Sequence, residues 1–128
     1  MVDERRVALA KMTSPEAAEA LAGAEVALIP VGATEQHGPN MTLETDTVVA
    51  YRLALRIAAA LHPRAVVAPQ LPYGVSYHHM SFPGTMMLTP ETFQAVVLEV
   101  VDSLRQHGLE RCGFRWAYAR HIFSTSRS

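Results

Sequence analysis

The chain has 128 residues, of which 49% are hydrophobic and 18% charged, and its formal net charge is −1. That length can bury one real core, and near-neutral charge with eleven scattered basic residues removes the electrostatic case for nucleic acid or an anionic membrane surface. Cys112 is the single cysteine and cannot close an internal disulfide. No apolar run approaches the roughly 18–20 residues that span a bilayer, and Asp3, Glu4, Arg5 and Arg6 make a poor secretory signal. A cytoplasmic protein is the expectation.

Ser14-Pro15-Glu16 predicts a helix start, with a hydroxyl N-cap, proline at the first helical position and an acid in the first turn. Gly23 predicts its end. Residues 24–31 form an apolar run bounded by turn residues and read as a buried strand. Residues 32–45 are polar, with Gly32, Gly38, Pro39 and Asn40, and read as a loop. A second helix is expected from near Asp46 to Leu61, ended by His62-Pro63. Past Asp46 its only charges are Arg52 and Arg56 on one face, so it should be covered on several sides.

Residues 65–68 predict a second short buried strand, stopped by Pro69. Residues 69–88 form another irregular stretch, which contains the pair His78-His79. Thr89-Pro90-Glu91 repeats the capping signature and opens a third helix. There Phe93, Val96, Val97, Val100, Val101 and Leu104 keep helical spacing, and Gly108 closes it. Strands alternating with helices imply an α/β fold, three-layer αβα with a mostly parallel sheet. Active sites in such sheets form where loops leave the C-terminal ends of strands, as both irregular stretches do. A dinucleotide site is disfavoured, because no G-x-G-x-x-G follows the first strand.

The first loop carries the chemistry. Glu35 and His37 stand two apart, so an extended backbone turns both side chains to one side. Asp46 follows at the start of the helix. A mixed carboxylate and imidazole set suits Zn²⁺ or Mn²⁺ better than Ca²⁺ or Mg²⁺. The bland alternative is a solvated Glu-x-His pair and an Asp serving as N-cap, and spacing alone leaves that open. The glycine turns flanking the segment favour a fixed constellation.

Val31-Gly32-Ala33-Thr34-Glu35-Gln36-His37-Gly38-Pro39, with Thr45-Asp46-Thr47 after it, resembles the signature of the creatininase family of amidohydrolases. Leu71-Pro72-Tyr73-Gly74-Val75-Ser76-Tyr77-His78-His79, with Phe82-Pro83-Gly84-Thr85, resembles that family's second motif. The similarity runs from about Val26 to about Gly108. It implies that Glu35, His37 and Asp46 are catalytic metal ligands of a two-metal centre, Zn or Mn, with Asp46 bridging both ions. It implies substrate contacts for Ser76 and His79. His78 is more simply a surface or packing residue, and Phe82-Pro83-Gly84-Thr85 shapes the loop.

The implied reaction is hydrolysis of a non-peptide, often cyclic, amide C–N bond in a small molecule. Two ions roughly 3.5–4 Å apart would share a bridging hydroxide for attack on the carbonyl carbon. Asn40 and Met41-Thr42 stand where many relatives have a second His and a Leu-Pro pair. That departure bears on the choice of substrate more than on metal binding.

Family members are longer, and their next strand leads to further ligands. The sequence divides accordingly into residues 1–111, the N-terminal part of a creatininase-like domain, and an unmatched tail, 112–128. Residues 112–123 show no strand or helix period, so the family's apolar strand is expected to be missing, and 124–128 have the composition of a disordered tail. Back-translating residues 111–118 with a one-nucleotide shift permits Val-Val-Val-Phe-Val-Gly-His, so a frameshift is one explanation and natural truncation another. His121 lies in that tail without the family's Asn-Gly context and is assigned no role.

Three ligands shared by two ions leave each under-coordinated. Weak metal binding, lost activity and self-association through uncovered apolar surface are then the expected consequences, with a homo-oligomer as the expected assembly. The competing reading is a catalytically dead α/β module whose loop serves binding or oligomerisation.

Overall fold

Strand β1 (Val26–Val31) organises the molecule, because its side chains are buried on both faces and so form a continuous apolar run. The computed structural model describes residues 2–109, 111–116 and 123–126. β1 is paired in parallel with β2 (Ala65–Val67) on one side and β3 (Arg111–Trp116) on the other. β4 (Phe123–Ser126) returns antiparallel to β3, giving the order β2-β1-β3-β4.

On one face, Leu28, Ala65 and Val67 pack against Ala54, Leu55 and Ala58 of helix α3 (Thr45–Leu61) and Val7 of α1 (Glu4–Val7). On the other, Ala27, Ile29, Val31 and Val66 pack against Val101 and Leu104 of α4 (Pro90–Gln106). Ala20 and Leu21 of α2 (Ser14–Gly23) join that second cluster. Alternate residues of β1 thus feed two cores, and the architecture is the expected αβα sandwich with a mostly parallel sheet.

The helix starts follow the capping chemistry, with one shift. Thr89 caps α4 as its sequence implies, accepting from the Thr92 amide. At α2 the cap is Thr13 rather than Ser14. Thr13 Oγ1 accepts from the Glu16 amide at 3.3 Å, and Glu16 Oε1 accepts from the Thr13 amide at 3.0 Å. This reciprocal pair needs a Glu three residues past the cap, which Thr13 has and Ser14 lacks. Neither the single-turn α1 nor the 3-10 turn Leu9–Lys11 was anticipated from the sequence.

The larger difference lies past residue 110. A strand was not expected over 112–123, yet β3 pairs Ala27 with Cys112 and continues to Val31 with Trp116. Its alignment comes from an already buried neighbour rather than from its own periodicity, a case of tertiary context overriding local pattern. Ser124, Thr125 and Ser126, expected in a disordered tail, pair in β4 with Gly113, Cys112 and Arg111. His121 and the rest of 117–122, like 127–128, lie outside the described residues.

The connection from β1 to β2 moves one way along the sheet, and the one from β2 to β3 moves the other way. The direction reverses at the C-terminal end of β1. Open parallel sheets bind ligands at that crevice, and the loop bearing Glu35 and His37 leaves the sheet there.

Candidate metal centre

Gly32 lets the loop start close against α3. A Cβ at Gly32 would lie 2.3 Å from the Thr47 Cα, so only glycine fits. Thr47 Oγ1 donates to the Ala33 carbonyl at 3.2 Å and ties the first turn of α3 to the loop. Asp46, one residue earlier in that turn, is therefore held beside the loop. Its carboxylate is also favoured there by the positive end of the helix dipole.

Glu35, His37 and Asp46 converge. One ligand atom from each lies within 4.8 Å of the others, the one such group among the described residues. Glu35 is 3% exposed and Asp46 5%, so neither carboxylate is an ordinary solvated acid. His37 Nδ1 lies 3.1 Å from the Glu35 carbonyl oxygen. A carbonyl only accepts, so Nδ1 carries the hydrogen, and in the neutral ring Nε2 presents its lone pair inward. That Nε2 stands 3.1 Å from Asp46 Oδ1.

Two electron-pair donors at that separation need a proton or a cation between them. Burial and a hydrogen bond shared with the Glu35 carboxyl push Asp46 up to about 6, against the opposing pull of His37. For His37, burial acts downward. The Glu35 carbonyl and the Asp46 carboxylate outweigh it, and the imidazole is raised above its ordinary 6.5. Both shifts point the same way: with no cation present, the Glu35–His37–Asp46 pocket holds on to protons to higher pH than isolated side chains would. With both carboxylates ionised, Asp46 Oδ2 is buried without a hydrogen-bond donor. An orphaned carboxylate oxygen beside an imidazole lone pair fits a divalent cation, and a ligating His commonly donates its other N–H to a carbonyl as His37 does.

The second loop closes over the first. The Met86 amide donates to the Thr34 carbonyl at 2.9 Å, and Thr34 Oγ1 donates to the Pro72 carbonyl at 2.7 Å. The Gln36 amide donates to Thr85 Oγ1 at 3.2 Å, and Gln36 Nε2 lies 3.0 Å from His79 Nδ1. His79 Nε2 is thereby brought to 3.8 Å from Glu35 Oε1.

Of the other expected site residues, Ser76 is buried at the head of the 3-10 turn Tyr77–His79, where its carbonyl accepts from the His79 amide at 3.0 Å. His78 is exposed and lies against the His79 ring, with centroids 4.1 Å apart. Asn40 is exposed. Gln36 and Thr85, which join the two loops, were missed as site residues. The available signal was Gln36's place between Glu35 and His37, where an extended backbone turns it to the opposite side.

The sequence model of the creatininase family, described as creatinine amidohydrolase, matches residues 10–115. The mycofactocin precursor peptide peptidase of Mycolicibacterium smegmatis is 41% identical over 76 residues, which covers 56% of this chain and 31% of that protein. The 3-dehydro-scyllo-inosose hydrolase of Thermotoga maritima is 35% identical over 105 residues, 81% of this chain and 32% of that protein. The creatinine amidohydrolase of Pseudomonas putida is 34% identical over 99 residues, 73% of this chain and 37% of that protein.

A crystal structure of creatininase superposes with a TM-score of 0.77 at 30% identity, covering 84% of this chain and 43% of that one. Solved creatininases of the same TM-score include Mn and Zn-Zn forms. The chain spans about a third of the length of the curated relatives it matches. With a family match across most of its length and a three-layer fold shared with the solved enzymes, the chain belongs to the creatininase family.

Proposed function

We propose that the chain carries the first metal-binding half of a creatininase-type amidohydrolase. Glu35, His37 and Asp46 are the ligands, and Zn or Mn is the metal. The observation that carries this reading is the part-buried His37–Asp46 pair, whose electron pairs face each other beside the orphaned Asp46 Oδ2. Zinc or manganese bound there supplies Lewis acidity toward a water and an amide carbonyl.

The chain's own residues do the positioning. The Glu35 carbonyl holds the His37 ring by its Nδ1–H, the Thr47–Ala33 bond fixes the helix turn bearing Asp46, and Gln36 with Thr85 holds the second loop over the pocket. Three protein ligands complete one open catalytic zinc site. A second ion, which the family resemblance implies, needs donors besides these three. His79 and Ser76 are proposed substrate contacts.

The substrate is a small amide, and the first reading is a non-peptide, often cyclic one. Greater identity to a peptide peptidase than to creatinine amidohydrolase favours a second reading, a peptide amide. Metal content per chain, measured together with hydrolysis of creatinine and of a short peptide panel, tests the proposal. Near-stoichiometric metal, lost in Glu35→Gln, supports the site, and Glu35-dependent turnover supports the enzyme. A chain that takes up neither zinc nor manganese leaves only a binding or assembly module.

A further inference from the structure

Gln36 sits between two proposed ligands, but its side chain points to the second loop. Its two amide ends are distinguishable. The Gly38 amide lies 2.9 Å from the Gln36 oxygen, and a backbone N–H can only donate. That contact fixes Oε1 on the Gly38 side and leaves Nε2, which has only hydrogens to offer, facing His79 Nδ1 at 3.0 Å. His79 Nδ1 must then accept, and the ring's proton sits on Nε2. Nε2 faces Glu35 Oε1 at 3.8 Å, beyond hydrogen-bond reach. The His79 side chain is 21% exposed, so the edge of the pocket is open to it.

We infer that Gln36 is a positioning residue which locks His79 in its Nε2–H tautomer, making His79 a hydrogen-bond donor at the rim of the pocket and not a metal ligand. With Nδ1 occupied by Gln36 and Nε2 carrying hydrogen, neither nitrogen offers a lone pair to a cation. What the Nε2–H can meet is an acceptor oxygen, the carbonyl or carboxylate of a bound molecule beside Glu35. The inference rests on the pocket being the site proposed above only for what that donor contacts. The tautomer itself depends on Gln36 and Gly38.

Long-range ¹H–¹⁵N correlation spectra of the full chain, labelled at histidine nitrogens and held at a pH where imidazole is neutral, read the tautomer directly. Wild type is expected to show a pyrrole-type Nε2 and a pyridine-type Nδ1 at His79. A proton on Nδ1, or averaged signals, overturns the inference with no variant required. Gln36→Met, close in shape but without the amide, should lose the fixed tautomer. Gln36→Glu, which can only accept, should move the proton to Nδ1. An undiminished Nε2–H tautomer in either variant overturns the role of Gln36.

Thr85→Val removes the hydroxyl that accepts from the Gln36 amide, one of the ties between the loops, and leaves the Gln36 side chain intact. It should keep the wild-type tautomer, and its loss there would assign the effect to loop closure instead. Adding zinc chloride should shift His37 and leave both His79 nitrogens of unchanged type. Zinc on a His79 nitrogen overturns the inference. An intact tautomer in a chain that takes up no zinc leaves it standing and sinks the metal-site proposal instead.

Discussion

Gly32→Ala is the sharpest available test of how the fold builds the pocket. The added methyl would lie 2.3 Å from the Thr47 Cα and Oγ1 and 2.6 Å from its amide nitrogen. Ordinary contact begins near 3.4 Å, so the first turn of α3 must retreat by about 1.1 Å. Two of the three close atoms belong to the backbone, so no side-chain rotation relieves the clash. The same turn carries Asp46, whose Oδ1 is 3.1 Å from His37 Nε2. Metal sites tolerate errors of about 0.2 Å in ligand distance, so a shift near 1 Å separates Asp46 from an ion held by Glu35 and His37. Overpacking of this kind costs about 1–3 kcal/mol of stability. Zinc affinity should fall by at least the roughly 10–100-fold seen when partners that orient ligands are lost.

Competition with a chromophoric chelator measures the affinity, and urea unfolding measures the stability. Gly23→Ala is the control. It meets nothing within 4 Å at the end of α2 and should leave the zinc affinity unchanged. A Gly32→Ala chain with wild-type zinc affinity and stability would refute the claim that this close approach places Asp46.

Protons and metal compete for the same electron pairs at His37 and Asp46. Zinc affinity should therefore drop as pH falls through the range where His37, raised above its ordinary 6.5, and then Asp46, at about 6, take up protons, by up to about tenfold per pH unit for each proton displaced. Affinity that stays flat through that range would remove the coupling. In the metal-free chain, the folded Asp46 keeps its proton up to about 6 against an ordinary 3.8, so the native state binds more protons in that window. Its stability should fall as pH rises from 3.8 to about 6, with His37 extending the loss above its ordinary 6.5. Saturating zinc should reverse the trend, and pH-dependent urea melts with and without zinc read both.

Tyr51 on α3 donates to Glu4 Oε2 at 3.0 Å and fastens α1 to the helix. Tyr51→Phe should cost about 1 kcal/mol. Burial, then Glu4, pushes the Tyr51 phenol up to about 12 from 10. The contact's contribution is therefore complete below pH 10 and is lost as pH rises toward about 12, a dependence that should vanish in the Phe variant. A Phe variant with an unchanged unfolding midpoint would remove the clamp.

Much of the fold was legible because its signals are local. The run 24–31 is apolar at every position but Glu25, and Thr89-Pro90-Glu91 caps a helix whatever lies around it. The Glu35-x-His37 spacing turns both side chains one way by backbone alternation, and two long motifs in order carried the family assignment. β3 was not legible. Its six residues have no period of their own, and they form a strand because β1 offers them an unpaired edge.

The site divides along the same line. Residue types and spacing pointed to Glu35, His37 and Asp46, and the motif resemblance added His79. They could not give His37 its inward lone pair, which depends on a carbonyl two residues back adopting one geometry. They could not single out Gln36 as the link between loops 43 residues apart. Nor could they show that Asp46 lies buried with an orphaned oxygen, which depends on how closely α3 approaches Gly32. Alternation and capping are properties of a short stretch of chain. Which donor faces which acceptor across two loops exists only once the sheet and α3 have brought them together.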